Sequence, residues 1–173
     1  MASKPRTVRG YVAVLAGRSR ATEDVDVVLE PMSEERVHDL AAELDSHGYW
    51  GMAMPLDEMF SMLNGGDRLR IARQDQLFPN FEVWFAANDI ERTALDEAIT
   101  VELADERIRI SPIELQIAYK LRLAQQTDST TGKDFEDALH LYLTFEEQFK
   151  PEALERYVAE LGVESYYDTL RGA

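Results

Sequence analysis

Three acidic positions in this chain have the residue types and spacing to act together. Asp24 and Asp26 form an Asp-x-Asp pair inside the run DVDVVL, whose other members, Val25, Val27, Val28 and Leu29, are apolar and mostly β-branched. Such a run reads as a buried strand. Strand side chains alternate between faces, so Val25, Val27 and Leu29 point into a core while Asp24 and Asp26 project together from the other side. Two carboxylates side by side repel one another, and a cation between them relieves that repulsion. Magnesium is the simplest such cation. An acidic strand face turned to water would carry the same two residues, so the pair alone leaves both readings open.

The third position is Glu82. A turn at Gly65-Gly66 and a break at Pro79 set off two runs, Arg68 to Arg73 and Phe81 to Phe85, that read as strands. In the second run Phe81, Val83 and Phe85 share one face, and Glu82 and Trp84 share the other. If this strand neighbours the Asp-x-Asp strand in one sheet, Glu82 joins Asp24 and Asp26. A solvent-facing glutamate on an ordinary strand is the competing reading.

Other elements must position these strands. The segment Gly10 to Gly17, GYVAVLAG, is nearly continuous in apolar residues and reads as a short buried helix or strand. After Pro31, Ser33 caps a predicted helix with Glu34 and Glu35 in its first turn and a buried stripe of Val37, Leu40, Ala41 and Leu44, ended by Gly48. Trp50, Met52, Met54, Met59, Phe60 and Met62 follow, as core filler or as the lining of a pocket. Asn88 caps a short helix reaching Ala98, and the runs Ile99 to Leu103 and Arg107 to Ile110 predict a hairpin around Asp105.

From Ser111 the pattern turns wholly helical. Ser111-Pro112 predicts an N-cap followed by proline at the first helical position, with Ile113, Ile117, Leu121 and Ala124 on one side. A polar loop then leads to a helix with Phe135, Ala138, Leu139 and Tyr142 at helical spacing. A last helix uses Leu154, Val158 and Leu161 and ends at Gly162, and Tyr166, Tyr167 and Leu170 dock the terminus.

Composition bounds the rest. The chain has 173 residues, 45% of them hydrophobic, which suits one domain or one domain with a smaller lobe. It has no cysteine, so disulfide frameworks and thiolate metal sites are excluded. No apolar run reaches the length of a membrane span, and the start MASKPRTVRG lacks a signal-peptide core, which predicts a cytoplasmic protein. The net charge of −15 disfavours nucleic-acid binding by broad electrostatics. Lys4, Lys120, Lys133 and Lys150 are the only lysines, and abundant acid with scarce lysine fits a halophilic cytoplasm, or an ordinary acidic bacterial one.

Two stretches resemble a known family. The run Gly10...Gly17-x-x-Arg20-x-Thr22-x-Asp24-Val25-Asp26 is similar to the first motif of minimal nucleotidyltransferases of the DNA polymerase β superfamily. Ser111-Pro112...Lys120-Leu121...Lys133-Asp134-x-x-Asp137 resembles the helical half of the AbiEii-like branch, which includes toxins of type IV toxin and antitoxin systems. The resemblance covers roughly residues 9 to 145.

It implies an α/β (α+β) fold: a nucleotidyltransferase-type mixed sheet with flanking helices over residues 8–110, then a C-terminal helical lobe over 111–173. It implies Asp24 and Asp26 as ligands of Mg2+, with Glu82 the third carboxylate, nearest an acceptor hydroxyl. Gly10 would bring backbone N–H groups to the phosphates, with Arg20, Thr22 and Lys133 as further nucleotide-site positions. Lys120 and Asp134 match the helical motif, Lys120 as a phosphate contact or as a surface cation paired with a carboxylate. The implied reaction transfers a nucleoside monophosphate from a nucleoside triphosphate to an acceptor hydroxyl on RNA or protein, with an antitoxin protein as a further partner. Where the family has Gly-Gly or Gly-Ser, this chain has Arg9-Gly10, which keeps open a catalytically silent module that binds a nucleotide or partner.

Overall fold

The valine-rich run that carries the Asp-x-Asp pair is a strand, and the sheet is built outward from it. The computed structural model describes residues 6–7, 24–103 and 106–173. Its contacts form two compact units, which among the described residues divide between Ile110 and Ser111.

In the first unit the strands are β1 (Arg6–Thr7), β2 (Asp24–Leu29), β3 (Tyr49–Gly51), β4 (Leu69–Arg73), β5 (Asn80–Phe85), β6 (Ile99–Leu103) and β7 (Glu106–Ile110). They form one mixed sheet in the order β3-β4-β5-β2-β1-β7-β6. β2 runs parallel to β5 and β1 parallel to β7, and the remaining neighbours are antiparallel. The predicted hairpin is β6–β7. The run beginning at Tyr49, given no strand from its sequence, supplies β3, because Tyr49, Trp50 and Gly51 pair with Arg73, Ala72 and Ile71 of β4.

Among the described residues three helices complete the unit: α1 (Glu34–Ser46), α2 (Met59–Gly65) and α3 (Asp89–Asp96), with a 3₁₀ turn over Leu56–Glu58. α1 begins at Ser33 as expected, although the Ser33 side chain makes no capping hydrogen bond. It gives way to Gly48, whose φ of 73° suits a residue without a Cβ. α1 and α2 cover one sheet face. There Val25, Val27 and Leu29 of β2, Leu69 and Ile71 of β4 and Val83 of β5 pack with Val37, Ala41, Met59 and Leu63. Burying these side chains, each stabilising by about 1.5–3 kcal/mol, holds the register of β4, β5 and β2.

Among the described residues the second unit is helical: α4 (Ile113–Gln126), α5 (Lys133–Thr144), α6 (Pro151–Leu161) and α7 (Glu164–Arg171). α4 packs against the other three. It is buried on more than one side, through Ile117, Ala118, Leu121 and Ala124 and also Gln116 and Lys120. The expected cap at Ser111 shifts by one residue. Pro112 is the N-cap, since Gln116 N–H donates to Pro112 O, and Ser111 is fully buried with its hydroxyl turned to the Pro112 carbonyl. Proline suits that place because it lacks only an N–H that no helix would use. The docking segment at the C-terminus is itself a helix, α7, separated from α6 by Gly162 in the left-handed conformation (φ 65°) and burying Tyr167 and Leu170. No described helix is long and apolar enough to cross a membrane.

Candidate functional site

The sheet brings two of the three predicted carboxylates together. β2 and β5 are parallel neighbours in the register Asp24↔Asn80, Asp26↔Glu82 and Val28↔Trp84. Residues opposite one another on adjacent strands share a face, and adjacent strands lie about 4.8 Å apart. Asp26 and Glu82 therefore stand side by side, both partly buried, on the face opposite the α1–α2 core. Asp24, two residues earlier on β2, pairs in register with Asn80. On the other side the row is closed by the buried pair Val28 and Trp84.

The next strand continues the row. β4 pairs antiparallel with β5, and its Arg70 lies opposite Glu82, so Arg70, Glu82 and Asp26 form a line across three strands. Arg70 Nε is 3.9 Å from Glu82 Oε1. Arg68, two residues before Arg70 and on the same face, donates from a terminal nitrogen to Glu82 Oε2 at 3.3 Å. Its guanidinium also lies 4.1 Å from the centre of the Trp84 ring, a cation–π contact. These arginines are the cations the structure sets beside Glu82. An alternating arginine pair on the strand running Arg68 to Arg73 was the sequence signal for them.

Trp84 is held from behind. Its Nε1–H donates to Glu91 Oε1 at 3.0 Å, and the Ala87 N–H donates to Glu91 Oε2 at 2.9 Å. Glu91 is the third residue of α3, and its own N–H donates to the Asn88 side chain at 3.0 Å. Asn88-x-x-Glu91 is thus a relative of the capping box whose glutamate also fixes the tryptophan under Arg68. The spacing of this motif was present in the sequence, and its consequence for Trp84 was not.

The donor chemistry suits a hard cation. Carboxylate oxygens are what magnesium prefers, and Asp26 and Glu82 share one face at neighbouring-strand distance. Among the residues whose side chains are described, which exclude Asp24, no group of three or more His, Cys, Asp or Glu is placed to hold a metal. Gly10, Arg20 and Thr22, with the apolar segment from 10 to 17, lie outside the described residues. An apolar cavity of about 240 Å³ lined by Leu40, Leu44, Tyr49, Met59 and Phe81 opens on the core side of the same strands and shares no wall with the carboxylates.

In the helical unit, Lys120 of α4 donates to Asp134 Oδ1 at 2.7 Å and lies 3.2 Å from Asp137 Oδ2, both carboxylates on α5. The lysine is nearly buried and Asp137 completely so. The two helices pack together and the lysine stem is buried, so the ammonium reaches the carboxylates with little freedom. Lys133, at the start of α5, is exposed.

No family model matches the chain, and no curated protein sequence is significantly similar to it. Solved structures are. A nucleotidyltransferase-like antigenic protein from Paracoccidioides brasiliensis superposes with a TM-score of 0.60 at 16% identity, over 97% of this chain and 84% of that one. The antibiotic-resistance factor ANT(2'')-Ia superposes with a TM-score of 0.55, also at 16% identity, over 97% of this chain and 85% of that one. At that identity the likeness is one of fold, and this chain has the nucleotidyltransferase-like fold.

Proposed function

We propose that the protein is a magnesium-dependent nucleotidyltransferase that moves a nucleoside monophosphate from a nucleoside triphosphate to a hydroxyl of RNA or protein, as the toxin of a toxin–antitoxin pair. One observation carries the reading: Asp26 and Glu82 occupy one register position on adjacent parallel strands, in a fold shared with nucleotidyltransferase-like proteins. Asp24 lies two residues earlier on β2, in register with Asn80.

In this reading Asp24, Asp26 and Glu82 would hold a magnesium ion. Bound magnesium supplies charge neutralisation on the phosphates. The acceptor oxygen forms a bond to the α-phosphorus as the bond from that phosphorus to the bridging oxygen breaks, and pyrophosphate leaves in line. Glu82, the carboxylate nearest the acceptor, takes the hydroxyl proton. Lys120 and Lys133 enter only as phosphate positions that the sequence resemblance assigns, Lys120 being already paired with Asp134 and Asp137. Gly10, Arg20 and Thr22 complete the nucleotide contacts that the sequence resemblance assigns.

One observation favours a second reading, a silent module that binds nucleotide or partner without transfer. Both oxygens of Glu82 already face guanidinium groups, an arrangement that stabilises the carboxylate without any metal.

Incubation with each labelled nucleoside triphosphate, magnesium and cellular RNA or protein separates the two. Transfer of label that vanishes in Asp26→Asn supports the enzyme. Magnesium-dependent binding with no transfer for any of the four nucleotides supports the silent module, and the absence of both sinks the reading.

A further inference from the structure

The geometry points to Arg68 and Arg70 as a clamp on Glu82 that a divalent metal must displace, so that metal binds this face weakly alone and tightly only together with a polyphosphate. The inference rests on the reading that the carboxylate face takes a metal, and it concerns two residues which that reading leaves without a role.

Three observations support it. Both guanidiniums are directed at one carboxylate, Arg68 at Oε2 and Arg70 at Oε1, so each Glu82 oxygen already faces a cation. Neither contact is the short bidentate pair that arginine makes when it is built to stay. Arg68 makes a single hydrogen bond at 3.3 Å, and Arg70, at 3.9 Å, is beyond hydrogen-bond distance. Both arginines are about half exposed, so their remaining donors face solvent, where an anion can reach them.

The row Arg70–Glu82–Asp26 gives the exchange a direction. Glu82 stands between a cation on β4 and a carboxylate on β2. A metal arriving on the Asp26 side draws Glu82 toward itself, against the attraction of the guanidiniums. It leaves two positive groups one strand away without their carboxylate. A polyphosphate brought by the metal supplies oxygens that match their planar donors. Arg68 is kept in place for this by the Trp84 ring, which Glu91 anchors, so it does not need Glu82 to stay on the sheet. Metal and polyphosphate binding are thereby coupled through one glutamate, and coupling of this kind is reciprocal.

The test compares wild type with Arg68→Gln/Arg70→Gln, using Mn2+ as a paramagnetic substitute for magnesium and inorganic tripolyphosphate as the probe. Removing two charges beside a metal-binding carboxylate should tighten Mn2+ alone by about fivefold or more. The same change should weaken the Mn2+–tripolyphosphate complex by about tenfold or more. Opposite signs are the signature, because a merely structural pair, once lost, would weaken both or change neither. If the double variant does not fold, Arg70→Gln, which loses no hydrogen bond, should show both effects in smaller measure, and Arg70→Lys should restore both toward wild type. Unchanged or same-direction shifts overturn the clamp. If Mn2+ binds wild type and not Asp26→Asn, such a result leaves the metal reading standing. If Mn2+ binds neither wild type nor variant, both ideas fall.

Discussion

Asp26 and Glu82 lie directly opposite one another across the parallel strands β2 and β5, although α1, α2 and two further strands intervene in the chain. The next pair along, Val27 and Val83, is turned to the other face and locked into the core. A slip of one residue between these strands would bury the carboxylates and expose the valines, so core packing on one face enforces carboxylate pairing on the other.

A metal held by this pair should stabilise the fold. Moving from chelator to about 10 mM magnesium should raise the wild-type unfolding midpoint by about 3–6 °C if the dissociation constant is near 1 mM. Asp26→Asn should show no such rise at the same protein concentration. An equal rise in both proteins would place any bound magnesium elsewhere.

Glu91→Ala should be among the more damaging changes in the first unit. It leaves the buried Trp84 Nε1–H without its carboxylate acceptor, at about 1–3 kcal/mol, and removes the acceptor of the more exposed Ala87 N–H at a smaller cost. Asn88→Ala should cost less, about 1 kcal/mol, since it removes one helix cap. Urea unfolding followed by tryptophan fluorescence checks the order, and equal losses would contradict the role given to Glu91.

The helical unit makes a contrasting prediction for two of the rare lysines. Lys120→Met removes the ammonium that faces the buried Asp137 and the neighbouring Asp134 and should destabilise by about 3–5 kcal/mol. Lys133→Ala, at an exposed position, should stay within about 0.5 kcal/mol. Chemical denaturation of the two variants decides it, and a mild Lys120→Met would show that the ion cluster is not a structural requirement.

The acidic surface predicts a salt response. With a net charge of −15, self-repulsion is relieved as KCl rises from dilute to molar, and the unfolding midpoint should climb well beyond what screening of a few ion pairs gives. A midpoint equal at both extremes would remove the halophilic interpretation.

The local elements and their faces follow from runs of neighbouring residues. Period-2 alternation around Asp24 and Glu82, the Asn88 cap, the β6–β7 hairpin and the apolar stripe of α4 are properties of neighbouring residues, and side-chain direction follows from strand or helix geometry alone. The helical character after Ser111 was legible for the same reason. β3 was not, because Tyr49 to Gly51 is too short to show a period and becomes a strand only by pairing with β4. The cap at Pro112 and the separate helix α7 turned on single hydrogen bonds and one left-handed glycine.

Which strands are neighbours is a matter of long-range packing, which leaves no local trace in the chain. It set Glu82 beside Asp26, and it put Arg68 and Arg70 on the far side of Glu82, a relationship that needs β4, β5 and β2 in that order. It also turned Lys120 inward to Asp134 and Asp137, because the two helices that carry them pack together. Residue type specified the charges, and packing specified which charges meet.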